Sequence, residues 1–346
     1  MRAISAADAV SPAIQRTREF LFGQFRWGTF LKLGLVAMIT EGFSGNLQSS
    51  KRGGQPTGHG PMIYSLSDIP PLWIAAAVAA VVLAILVVMA VFYLVTRLRF
   101  AYFHCLIHNT REIRPGWWIY REPANRFFWL NIGVGIGFSL LVVLIFLPFI
   151  GGFLRLLHNT PPGGQPDAGL LLALVLPLIP IILLLVLAGI VADLVLLDWM
   201  LPHFALENAT AGEAWSRVWN SINAEKRQFF VYAVLRVVMP AIAMIAVFIV
   251  LMIPGLILAG AFAAFGYGLH SAFADATGAS AIVGILVQAF FGVLAFGLAL
   301  LAGICVAGPV STGVREYALL FYGGRYPALG DILQPPPPGA RAPDFA

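Results

Sequence analysis

Four side chains in this sequence have the types and spacing of a metal or acid–base site. His104 and His108 stand four apart, so both can face one side of a helix. His203 and Glu207 repeat that spacing a hundred residues on. A zinc site needs three or four such ligands, so it would form only if the two pairs converged. Unconverged, they are polar residues that end helices near lipid headgroups. Asn109 and Asn208, which follow the two pairs, read as turn or helix-start residues. Asp193 and Asp198 are a different case. Each sits near the end of a long apolar run, and an ionised carboxylate in hydrocarbon is costly. Both are expected to face a partner, water or a bundle interior. Asp193 is the deeper of the two, and Arg236 is a candidate partner. A proton or cation relay would need further acidic groups at that depth, and the other apolar runs offer almost none.

The elements that must position these residues are hydrophobic on a scale that excludes a soluble domain. Apolar residues are 60% of the chain, charged residues 11%, and the mean hydropathy is +0.87. A membrane helix needs about 20 apolar residues. Leu72–Val95, Phe127–Phe149, Leu170–Leu197, Phe229–Ala259 and Ala281–Ala307 meet that length. Trp27–Phe43 is weaker, because Lys32 and Glu41 flank its short apolar centre, and by length it also fits an interfacial segment. Charge placement favours six spans. All but Lys51, Arg52 and Arg155 of the 21 Lys and Arg residues then fall on one side. The positive-inside rule makes that side, with both termini, cytoplasmic. The location expected is a cell membrane, crossed several times.

The expected fold is therefore an all-α transmembrane six-helix bundle with parallel internal repeats and cytoplasmic interfacial amphipathic helices. Residues 1–26 form a cytoplasmic lead-in and residues 27–325 the membrane domain. Residues 326–346, with Pro335 to Pro338, form a disordered tail. The repeat units are about 72–151 and 170–260. In each, an apolar run leads to His104-Cys-Leu-Ile-His-Asn109 or His203-Phe-Ala-Leu-Glu-Asn208, then a Trp-bearing segment, then Arg126-Phe-Phe128 or Arg227-Gln-Phe-Phe230. A common order of elements in one direction marks a parallel repeat. The last and first spans would complete a third unit under pseudo-threefold symmetry.

The linkers between spans carry the residues that would meet lipid. Thr210-Ala-Gly-Glu213 fits a capping box. Behind it, Ala214, Trp215, Val218, Trp219 and Ile222 recur at helical spacing, a stripe that suits either headgroups or the bundle surface. The first repeat's counterpart, broken by Pro115, Gly116 and Pro123, is expected to be shorter. Arg111, Arg114, Arg121 and Arg217, with Trp117, Trp118, Trp215 and Trp219, are the candidate headgroup contacts, and anionic lipid the expected partner. A membrane-protein partner stays open. A pI of 9.4 does not by itself imply nucleic acid, because the Arg residues sit beside helix ends.

Small residues at Ala295, Ala299, Gly303 and Ala307, and at Gly133 and Gly137, predict close helix packing. Pro148, Pro177, Pro180, Pro240 and Pro254 fall in or at the ends of spans and predict kinks or shape fitting. Cys105 and Cys305 are not placed for a disulfide. The opening residues lack the compact apolar region of a cleaved signal. There is no phosphate-cradling Gly-rich loop, no H-E-x-x-H, no nucleophile elbow and no paired-Cys motif, so no cofactor and no catalytic set is assigned.

Pro202-His-Phe-Ala-Leu-Glu-Asn208, Glu213-Ala-Trp215, Arg227-Gln-Phe-Phe230 and Gly308-Pro-Val-Ser-Thr-Gly-Val-Arg-Glu-Tyr317 together resemble a broad prokaryotic group. It is related to the membrane domain of glycerophosphoryl diester phosphodiesterases and includes allied uncharacterised families. The resemblance covers about residues 70–325 and rests on short motifs. It implies a six-helix membrane domain without an established activity. In those phosphodiesterases catalysis belongs to a separate soluble barrel, for which this chain has no room. Three functions follow as alternatives. They are a non-enzymatic lipid- or partner-binding membrane domain, a small transporter or channel with a polar site at Asp193, and a lipid-modifying enzyme built on the His–Glu cluster.

Overall fold

The computed structural model describes residues 4–23, 25–45, 71–159, 168–273 and 279–334. The described residues form helices joined by short turns, in the order α1 (Val10–Phe22), α2 (Trp27–Gly45), α3 (Pro71–Ile107), α4 (Ile113–Ile119), α5 (Arg121–Asn159) and α6 (Ala168–Asp193). A π-helical segment (Leu194–Met200) then leads to α7 (Leu201–Glu207), α8 (Ala211–Ala224), α9 (Lys226–Ala272), α10 (Ala279–Gly323) and α11 (Pro327–Leu333). Five stretches are long and apolar enough to cross a membrane: Leu72–Ile107, Arg121–Leu154, Leu171–Glu207, Lys226–Ala272 and Ser280–Gly323. They mark the chain as a multi-pass membrane protein.

The long helices outrun the bilayer. With 45 residues, α10 extends about 68 Å, more than twice the roughly 30 Å of a hydrocarbon core. Its two parts differ. Ile285, Val293 and Phe296 are 66%, 71% and 70% exposed, as side chains that face lipid must be, whereas Tyr317, Phe321 and Tyr322 are buried. The same change occurs along α3, between exposed Leu83 and buried Phe100. Charge marks the switch: Arg97 and Arg99, Asp193 and Asp198, and Arg315 and Glu316 lie where apolar exposure ends. The spans expected from sequence end short of Arg97, Asp198 and Arg315, at Val95, Leu197 and Ala307. The helices continue because a packed core beyond those charges buries their next turns.

The chain forms two compact units. The first comprises Met1–Ala80, Tyr102–Ile113 and Arg227–Ala346, the second Val81–Ala101 and Arg114–Lys226. In the first, Tyr232 stacks on Tyr317 and Phe321 at 5.0 and 4.4 Å, and Arg325 lies 4.0 Å over the Phe321 ring. Helix α1 crosses α10, and Tyr317 and Arg325 donate hydrogen bonds to the carbonyls of Ala6 and Ile4 at 3.0 and 3.1 Å. Helix α2 runs along α10 in the same direction, with Gly34 against Gly308 and Glu41 against Arg315. That differs from the outward span expected at Trp27–Phe43. Glu41 is held by Arg236 at 2.7 Å and Arg315 at 3.6 Å, and a largely shielded carboxylate anchors its helix to its counter-ions. The expected disordered tail begins with a helix instead. Leu329, Gly330 and Leu333 of α11 are buried, and Pro335 to Pro338 lie outside the described residues.

In the second unit, Phe127 is the centre of the core. Its ring meets Phe100 and Phe204 edge-on at 5.5 and 5.4 Å, so three helices share one aromatic cluster. The predicted small-residue faces are not the close contacts. A Cβ at Gly133, Gly137 or Gly303 would meet nothing within 4 Å, whereas one at Gly308 would stand 2.7 Å from the Gly34 Cα. The five candidate prolines all lie inside helices α5, α6 and α9. Both cysteines are free thiols.

Candidate functional site

The residues singled out for chemistry separate into pairs. In the first unit, the rings of His104 and His108 lie 4.5 Å apart. In the second, His203 Nδ1 stands 3.8 Å from Glu207, which is already ion-paired with Arg217. Among the described residues no group of three or more His, Cys, Asp and Glu side chains is placed to hold a metal. Of the two aspartates, Asp193 is exposed and Asp198 is 2% exposed inside the π-helical segment. The carboxylate buried within the protein is thus Asp198. Arg236, offered as a partner for Asp193, pairs with Glu41.

Asn109 and Asn208 stand at helix ends, in keeping with the turn alternative and not with the helix-start one. Both adopt left-handed backbone, φ 50° and 53°, a conformation Asn tolerates better than other side chains with a Cβ. Each releases the chain from a long helical run into a short helix, α4 or α8. The Asn208 N–H closes on the carbonyl of His203. Helix α8 then starts on a complete capping box. Glu213 N–H donates to Thr210 Oγ1 at 3.4 Å, and Thr210 N–H donates to the Glu213 carboxylate at 3.0 Å. That backbone donor first, and the Thr210 side-chain bond second, hold the Glu213 carboxyl below its ordinary range.

The stripe on α8 divides in two. Ala214 and Val218 are fully buried, while Trp215 and Trp219 are 48% and 50% exposed and stack at 5.8 Å. One face of the helix packs on the protein, and its neighbouring edge presents two parallel indoles outward. The α4 counterpart is shorter, as expected, at seven residues. Trp118 there is 61% exposed. Trp117 instead covers Arg97, whose guanidinium lies 4.5 Å from its ring and donates to its carbonyl at 2.6 Å.

The candidate headgroup residues are therefore not equivalent. Arg111 donates to the Phe20 carbonyl at 2.9 Å, Arg217 is paired with Glu207, and Trp117 shields Arg97. Arg111 and Trp117 hold the protein together, while Arg217 is paired yet 49% exposed. Arg114, Arg121, Trp118, Trp215 and Trp219 are exposed. What sequence reasoning missed is buried charge in the first unit. Glu316, with no side-chain exposure, meets Arg16 at 3.0 Å. Close by in sequence, Tyr102 and Thr312 share a 2.7 Å hydrogen bond. Arg16 and Glu316 stand 300 positions apart, so no local pattern signals the pair.

The chain belongs to a family of unknown function (DUF7544), whose match spans residues 4–332. Neither the curated proteins nor the solved structures contain a match to it.

Proposed function

We propose that this protein is a non-enzymatic membrane domain whose interfacial rim engages anionic lipid. The observation that carries the reading is the outward pair of stacked indoles on α8, anchored by the burial of Ala214 and Val218. Trp prefers headgroup depth, where its ring is half apolar and its N–H finds a partner. On this reading α8 is an amphipathic interfacial helix and α4 its shortened equivalent. Arg114 and Arg121 supply exposed positive charge beside Trp118.

The matched left-handed asparagines, each followed by a short helix and then a long one, support two parallel repeats. The proximity of Ile4 and Ala6 to the end of α10 supports termini on one side, which the Arg bias makes cytoplasmic. An even number of crossings then separates them. Five candidate spans are described; α2, running parallel to α10, does not supply an outward sixth. The resemblance to the phosphodiesterase membrane domain fits this reading, because it too lacks a catalytic set.

The test is quenching of tryptophan fluorescence in nanodiscs by brominated phosphatidylglycerol against brominated phosphatidylcholine. The wild-type protein should be quenched more by the anionic lipid. Arg114→Gln with Arg121→Gln should remove most of that preference. An unchanged preference would overturn the reading.

A further inference from the structure

We infer that the second unit holds one anionic phospholipid, with an acyl chain in the groove between α5, α6 and α8 and its phosphate at Arg126. The inference rests on the reading above and narrows it to a single site. The groove has a volume of about 580 Å³, within the roughly 300–1,000 Å³ of small-molecule sites. Its walls are entirely apolar: Leu130 and Val134 from α5, Leu184 and Ala188 from α6, Met200 from the π-helical segment and Trp215 from α8 are among them.

Length and place select the occupant. Along the third candidate span the lining runs from Leu184 to Met200, about 24 Å at 1.5 Å per residue. One leaflet of a hydrocarbon core about 30 Å thick is about 15 Å deep. The groove is therefore longer than one leaflet is deep, so an acyl chain would lie in it at a tilt, and Trp215, an interfacial residue type, lines it. The wider π-helical turn contributes Val195, Leu196 and Met200 to this end, and such turns recur at functional sites.

Charge completes the match. Arg126, Leu130 and Val134 are spaced by four, so Arg126 continues the groove-lining face of α5. Its side chain is 46% exposed and held only by long contacts, 3.5 Å to the Asn208 carbonyl and 4.0 Å to Glu122. Asn208 lies three residues before Ala211, which lines the groove, so the guanidinium stands at its mouth. A guanidinium has five donors and suits a phosphate in fork geometry.

Native mass spectrometry of the full chain, released from nanodiscs of phosphatidylcholine and phosphatidylglycerol, tests this. The wild-type protein should retain one phosphatidylglycerol. Ala188→Trp fills the groove and should abolish retention, with folding checked by its elution volume and helical content. Arg126→Gln leaves the groove intact and should lower retained phosphatidylglycerol relative to phosphatidylcholine about tenfold. Wild-type retention in a folded Ala188→Trp protein, or an unchanged headgroup ratio in Arg126→Gln, would overturn the inference. If Ala188→Trp does not fold, the Arg126→Gln ratio alone decides. The quenching preference lost in Arg114→Gln with Arg121→Gln belongs to the broader reading. Its loss alongside unaltered retention in the groove variants would remove the bound lipid and leave the rim. Its persistence alongside lost retention would do the reverse.

Discussion

Arg16→Met should be among the most damaging single substitutions outside the spans. Glu316 has no side-chain exposure, Arg16 is 20% exposed, and the two meet at 3.0 Å. Arg16 also donates to the Leu106 carbonyl at 2.8 Å. Methionine preserves much of the side-chain volume and removes both interactions. Breaking a buried pair by deleting one partner costs about 3–5 kcal/mol, because a buried charge is left uncompensated. The exposed pair Arg126–Glu122, 4.0 Å apart at i,i+4, provides the contrast. Glu122→Ala should cost about 0.3–0.5 kcal/mol. Adding Glu316→Leu to Arg16→Met should recover most of the loss, since apolar replacements of buried pairs are often neutral. The assay is equilibrium unfolding in mixed micelles with increasing denaturing detergent, followed by tryptophan fluorescence and helical content. Arg16→Met within 1 kcal/mol of wild type, about the size of an exposed pair, would refute the assignment of a structural role to this pair.

Gly308→Ala should destabilise by about 1–3 kcal/mol, because its Cβ would stand 2.7 Å from the Gly34 Cα, while Gly303→Ala has open space; the same unfolding assay separates them. Thr210→Ala should cost about 0.5–2 kcal/mol and loosen α8, read as faster amide exchange across Ala211–Ala224. The Glu213 carboxyl is held below its ordinary value of 4.5 by Thr210, so its capping contribution is present at neutral pH and is lost as pH falls through the lowered folded value. Amide protection of α8 should therefore be flat from pH 7 to 5 and fall only below that ordinary value, and a loss near pH 6 would contradict it. Phe127→Ala should cost about 3–5 kcal/mol, since its ring joins Phe100 and Phe204.

The long helices were legible because lipid imposes a simple rule, and runs such as Leu171 to Leu187 satisfy it without ambiguity. Their ends were not. The expected spans stop at Val95 and Ala307, but backbone hydrogen bonding continues wherever the next turns find a core, as Tyr102 and Tyr317 do. Helix α1 was readable in principle, since its buried Ala13, Thr17, Phe20 and Leu21 follow helical spacing. Helix α11, seven residues long beside a proline run, gave no such period. The capping box and the shortened α4 were visible because both depend on neighbours in sequence. The pairings Arg16–Glu316 and Arg236–Glu41 were hidden because they depend on which helices meet. For the same reason, the Arg and Trp residues on the linkers could be named together but not sorted. Only packing shows that Arg111 and Trp117 face the protein and that Arg217 is ion-paired.

The central claim is that the exposed indoles of α8 sit at headgroup depth among anionic lipids. A variant retaining only Trp215 and Trp219, placed in nanodiscs with lipids brominated at successive depths, measures this directly. The account predicts strongest quenching by bromines near the headgroup, and stronger quenching by phosphatidylglycerol than by phosphatidylcholine. Fluorescence insensitive to every brominated lipid, or identical for the two headgroups, would contradict it.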